Sequence, residues 1–170
     1  MAAARVRNEY GHLDVLINNA GTAAPRVGAE ELTADAAMEG FATNVFGPIR
    51  VTHAFLPLLR AAEHPRIVNV SSGVGSFQRI LEPGTVEHAV MLPVYPATKA
   101  ALTMLTVQYA RALDDILVNA ADPGFTGTDF NDHRGTQTVT EGTDAIVHLA
   151  TLPADGPTGT FQDRYGIVPW

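Results

Sequence analysis

A chain of 170 residues, 46% of them hydrophobic, is long enough to bury one sizeable core. Its net charge of -7, with no basic cluster to offset it, disfavours a nucleic-acid partner, and no apolar run reaches the ~18 residues of a membrane span. The absence of cysteine excludes disulfide and thiolate chemistry and fits a reducing, cytoplasmic setting, and the six histidines form neither an HExxH nor an i,i+4 pair that would suggest zinc.

Residues 1–10 read as the tail of a helix, followed by an apolar strand at 13–18. A helix is predicted over 34–62. Thr33 stands at its N-cap position, and Met38, Phe41, Val45, Ile49, Thr52 and Leu56 recur at steps of three and four. Strands follow at 66–70 and 116–120 and a weaker one at 160–163, with helices at 95–113 and 141–151 between them. The stretches 73–94 and 122–140 hold most of the Gly, Pro and Asp and read as loops. No repeat or linker divides the chain, so 1–170 reads as a single partial domain. Short β-branched runs alternating with helical segments predict an α/β fold with a doubly wound parallel sheet.

Four landmarks occur in order along these elements. Asn19-Ala20-Gly21 leaves the first strand at its carboxyl end, where ligands bind in such sheets. A plain strand-to-loop turn also accounts for it. Asn44 lies four residues before Pro48, which has no N–H for the Asn44 carbonyl; a carbonyl freed in this way can hold a water, or simply mark a kink. Ser71-Ser72 ends the second strand, where a hydroxyl can meet a ligand or cap a turn. Tyr95-Pro96-Ala97-Thr98-Lys99 opens a helix, which puts Tyr95 and Lys99 on one face at i,i+4, as in many ordinary surface pairs. A cation beside a tyrosine stabilises its phenolate and lowers its pKa.

From about Asn8 to Trp170 the ordered set resembles the short-chain dehydrogenase/reductase family. The Gly156–Phe161 ending and the long 73–94 stretch are similar to its carbonyl-reductase-like members. The resemblance implies an NAD(P)-dependent oxidoreductase interconverting a small-molecule carbonyl and an alcohol. Tyr95 would be the acid/base, and Lys99 would lower the Tyr95 pKa and bind the nicotinamide ribose. Ser72 would bond the substrate carbonyl, with Asn44 as fourth catalytic member, while Ser71, by its own residue type and place, reads as the turn former. Asn19, Ala20 and Gly21 would line the adenosine-ribose side of the cofactor. Pro123, Gly124 and Thr128, in a Pro-Gly-x-x-x-Thr run, would contact the nicotinamide amide and diphosphate, with Asp122 before them as a turn former. The 73–94 stretch, with Phe77, Leu81, Met91 and Leu92, would be a substrate wall, or would pack on the core.

No GxxxGxG or GxGxxG occurs in the sequence. Gly73-Val74-Gly75-Ser76-Phe77-Gln78 comes nearest, fails at its last position and follows the serines. The expected fold is therefore a Rossmann-like sheet lacking its first βαβ half, in a fragment that is itself inactive. The resemblance favours NADP and leaves NAD open, because the residues that choose between them belong to the absent half. Asp114-Asp115 also lacks the glycine usual between that helix and the next strand, so an Asp must take the left-handed stop or the stop is absent. Two other readings stand beside the enzyme: a non-catalytic chain using the fold for association, and an epimerase or dehydratase of the extended branch, which the short C-terminal tail disfavours. A homo-oligomer through the 95–113 helix is compatible with the family, as is a monomer.

Overall fold

The structure, a computed structural model, describes residues 2–170. Helix α1 (Ala2–Glu9) precedes strand β1 (Val15–Asn18); α2 (Ala34–Asn44) and α3 (Phe46–Leu59) lead to β2 (Arg66–Val70). A 3-10 turn (Gly73–Gly75) and α4 (Phe77–Leu81) come next, then α5 (Val94–Ala112), β3 (Leu117–Ala121) and α6 (Val139–Ala150). The chain closes with β4 (Phe161–Asp163) and β5 (Gly166–Ile167). The strands form one sheet in the order β1-β2-β3-β4-β5, parallel except for the β4–β5 hairpin. This is a doubly wound α/β sheet.

One face packs on α3 and α5 through Leu16, Leu59, Ile67, Leu113, Ile116 and Val118. The other packs on α6 through Val68, Val70, Ala121, Ala145, Ile146 and Leu149. Each fully buried aliphatic side chain contributes about 1.5–3 kcal/mol relative to exposure. The α5 side also carries a polar seam. Asn18 Nδ2 donates to Asn69 Oδ1 at 2.8 Å and to the Thr52 hydroxyl at 3.3 Å, and Asn69 Nδ2 donates to Thr106 at 2.9 Å. The Ser71 and Thr103 hydroxyls meet at 2.8 Å. Ser71 thus ties β2 to α5 rather than capping a turn.

The helix expected over 34–62 is two helices. The chain breaks at Val45, whose φ of -118° ends α2 and opens α3. The Ile49 N–H donates to the Val45 carbonyl at 3.3 Å, and no main-chain N–H among the described residues reaches the Asn44 carbonyl. Pro48 accounts for this, since it has no donor at that position. The 73–94 stretch is not simply a loop, because Ser76 caps α4 by accepting from the Arg79 N–H at 3.1 Å. Neither Asp114 nor Asp115 takes a positive φ, so α5 ends through Leu113 without a left-handed stop. Sequence periodicity also missed β5, whose two residues are too few to show one.

Strand β1 lies at the sheet edge, paired only with β2. Ile17 pairs with Val68 in the register and is 42% exposed. Among the described residues no helix is long and apolar enough to cross a membrane.

Candidate active site

The carboxyl ends of β1, β2 and β3 bring the four landmarks together. Tyr95 and Lys99 stand on the first turns of α5, where Pro96 costs no hydrogen bond because first-turn N–H groups have no intrahelical partner. The Lys99 side chain is buried, donates to the Val70 carbonyl at 2.9 Å and lies 5.7 Å from the centroid of the Tyr95 ring. Gly75 presses on the same turn: a Cβ there would stand 2.8 Å from the Lys99 carbonyl carbon, so only glycine fits. The Ser72 hydroxyl faces the Tyr95 phenol closely enough to favour its ionised form.

Burial dominates the electrostatics. It pushes the Tyr95 phenol up to about 12, helped by the negative Asp122 and opposed by Ser72. It pulls the Lys99 ammonium down to about 8, opposed by Asp122. The net shift of Tyr95 is upward, against the lowering expected beside Lys99, because desolvation disfavours a buried phenolate.

Asn44 is fully buried and acts through its side chain as a clamp. Its Oδ1 accepts from the Thr22 N–H at 2.8 Å, while Nδ2 donates to the Thr22 carbonyl at 2.9 Å and to the Thr98 hydroxyl at 3.0 Å. This fixes the loop after β1 against α5 and leaves the Asn44 main-chain carbonyl, freed by Pro48, as its distinguishing polar group. Asn19, Ala20 and Gly21 form an exposed shelf beside it. A Cβ on Gly21 would lie 3.4 Å from Asn44 Oδ1 and 3.7 Å from Lys99 Nζ.

Pro123, Gly124 and Thr128 lie in the segment that follows β3. Gly124 takes a φ of +66°, and Thr128 donates its N–H to Asn131 Oδ1 at 3.3 Å. Phe130 in the following 3-10 turn (Asp129–Asn131) packs on the Tyr95 ring at 5.8 Å between centroids. Phe77, Leu81 and Met91 are more than two-thirds exposed and do not pack on the core.

Comparison with known proteins decides the family. The family model for short chain dehydrogenase matches residues 1–138. The chain belongs to the short chain dehydrogenase family. Its members are oxidoreductases. A (+)-neomenthol dehydrogenase of Arabidopsis thaliana is 32% identical over 94% of this chain and 71% of its own length. Carbonyl reductase [NADPH] 1 of Bos taurus is also 32% identical, over 97% of this chain and 73% of its own. Among solved structures, the NADPH-bound carbonyl reductase from chicken fatty liver superposes with a TM-score of 0.85 at 29% identity, covering 99% of this chain and 71% of the other.

In this short chain dehydrogenase, sequence reasoning missed three partners of the site. Phe130 carries no motif, and its spacing from Tyr95 is visible only after folding. Thr98 lies inside the Tyr95–Lys99 run but faces Asn44. Asp122 does form the expected turn, its Oδ1 accepting from the Gly124 N–H at 2.9 Å. Its second oxygen, however, pairs with Arg79, 43 residues away.

Proposed function

We propose that this chain carries the proton-handling part of an NADP-dependent oxidoreductase that interconverts a small-molecule carbonyl and an alcohol. The convergence of Ser72, Tyr95 and Lys99 at the carboxyl edge of the sheet, with Lys99 Nζ 5.7 Å from the Tyr95 ring, carries this reading. The residues fit a nicotinamide nucleotide. The Asn19–Gly21 shelf is open, a side chain at Gly21 would fill the space beside Lys99, and the Lys99 ammonium has donors beyond the one held by Val70. Lys99 would hold the nicotinamide ribose; Asn19, Ala20 and Gly21 the adenosine-ribose side; Pro123, Gly124 and Thr128 the amide and diphosphate. The bound nicotinamide supplies or accepts the hydride.

The remaining chemistry belongs to the chain. Ser72 donates to the substrate oxygen and holds it beside the Tyr95 hydroxyl. In the reductive direction Tyr95 gives its proton to that oxygen, and a phenol at about 12 is protonated throughout the neutral range, as this step requires. In the oxidative direction Tyr95 must first lose the proton, so alcohol oxidation rises with pH. The Asn44 carbonyl seats a water through which the proton is restored. These 170 residues contain no glycine-rich turn to hold the pyrophosphate, so alone they bind NADPH weakly and do not turn over.

A chimera tests the reading. The glycine-rich βαβ unit of a carbonyl reductase, fused ahead of residue 2, is expected to give NADPH-dependent reduction of small aldehydes or ketones. Tyr95→Phe in that chimera should lower kcat by on the order of 100-fold or more. Near-parental turnover in the Tyr95→Phe chimera would refute the assignment.

A further inference from the structure

A largely buried cluster of one cation and three anions stitches the 73–94 stretch to the ends of β3 and β4. Arg79 on α4 donates through Nη1 to Asp122 Oδ2 at 3.0 Å and to Glu87 Oε1 at 3.4 Å, and through Nη2 to Asp163 Oδ2 at 2.7 Å. The four side chains are 23%, 4%, 14% and 13% exposed, in that order, so this is no solvated surface pair. Gly73, the residue after Ser72, backs directly onto it. A Cβ at Gly73 would lie 2.9 Å from Asp122 Oδ2 and 3.0 Å from Arg79 Nη1, and would collide with Glu87. The backbone bearing Ser72 is therefore in contact with the cluster. Asp122 also acts electrostatically on both Tyr95 and Lys99 of α5.

We propose that Arg79 and Asp122 are positioning residues for the proton-handling group: their ion pair fixes the backbone that carries Ser72, and Arg79 offsets the buried Asp122 charge behind Tyr95 and Lys99. The inference deepens the function proposed above and rests on it. The charged and titratable groups facing Asp122 are Arg79 from α4, Glu87 from the segment after it, Asp163 from β4, and Tyr95 and Lys99 from α5. A guanidinium can serve three carboxylates here because its fork offers separate donors, which an ammonium cannot do with the same geometry. Removing it leaves a buried carboxylate uncompensated.

The experiment exploits the composition, since Lys99 is the only lysine of the chain. In protein isotope-labelled at lysine, one side-chain signal titrates, with a midpoint near 8. Asp122→Asn removes a negative charge that favours the ammonium and lowers that midpoint. Arg79→Gln unmasks the charge and raises it. Arg79→Gln also speeds amide exchange at Gly75 and Ser76, which donate to the Ser72 and Gly73 carbonyls at 2.8 and 3.0 Å, by on the order of tenfold or more. Amides of β2 and β3 keep their protection and show that the fold is intact. Arg79→Lys adds a second lysine signal, told from that of Lys99 by its absence from the parental spectrum; there the Lys99 midpoint stays near the parental one but the slow exchange is lost. Should Asp122→Asn fail to fold, the two Arg79 variants decide. A Lys99 midpoint unmoved in Arg79→Gln, or unchanged exchange at Gly75 and Ser76, overturns the proposal. Neither readout uses cofactor or turnover, so this failure is distinct from failure of the oxidoreductase reading, which the Tyr95→Phe chimera reports.

Discussion

Tyr95 and Lys99 are pushed in opposite senses by the same burial, and this gives a pH signature. Lys99 falls from 10.5 to about 8 on folding, so between those values the unfolded chain binds more protons and stability rises with pH. The stability this group contributes is complete above its unfolded value and is lost as pH falls through about 8. Tyr95 rises from 10.0 to about 12, so its contribution is complete below pH 10 and is lost as pH climbs towards about 12. Urea midpoints should therefore climb from about pH 8 to about 10 and then fall. Lys99→Met is expected to flatten the climb and leave the fall. A climb of unchanged size in Lys99→Met would show that another group causes it.

At the scale of elements, α6 depends on its start. The Thr138 hydroxyl accepts from the Glu141 N–H at 3.3 Å, and Glu141 Oε2 accepts from the Thr138 N–H at 2.8 Å, a reciprocal cap. Arg164 in the β4–β5 turn grips Glu141 at 2.6 Å and Asp144 at 3.2 Å, so the cap also anchors the hairpin. Thr138→Ala should cost about 1 kcal/mol in urea unfolding, and Thr138→Ser much less; equal losses in the two would exclude the cap as the cause. The helices and strands flanking the site were legible in the sequence, because Leu16, Ile67 and Val118 lie in apolar runs and Tyr95 and Lys99 are local in spacing. The break at Val45 was legible only in part. Pro48 announced the lost donor, but the apolar recurrence ran on through it. Arg79 with Asp122, and Phe130 with Tyr95, were not legible, since each pair spans a long sequence separation and Asp122 and Phe130 lie in segments without periodicity. The upward shift of Tyr95 was hidden for a related reason: spacing reveals a nearby cation but not how much water both groups lose.

For the molecule as a whole, the open side of β1 is the feature most exposed to association. Its main-chain groups on that side have no sheet partner, and Ile17 presents an apolar side chain beside them. Edges of this kind template pairing with other chains, and an outward lysine suppresses it. The chain should show concentration-dependent association by sedimentation, reduced in Ile17→Lys; a monomer at high concentration in the parental protein would refute this. The polar seam bears on which pairings can persist. In the native register Asn18 stands opposite Asn69, and both amides reach hydroxyls on the helices. A slip by one residue would set Asn18 against Val68 or Val70, and an amide stranded there costs about 1–3 kcal/mol. The same slip would turn Leu16 to the wrong face. The seam therefore acts as a key for the register: it makes the misaligned pairings of β1 less stable than the native one without touching the site itself.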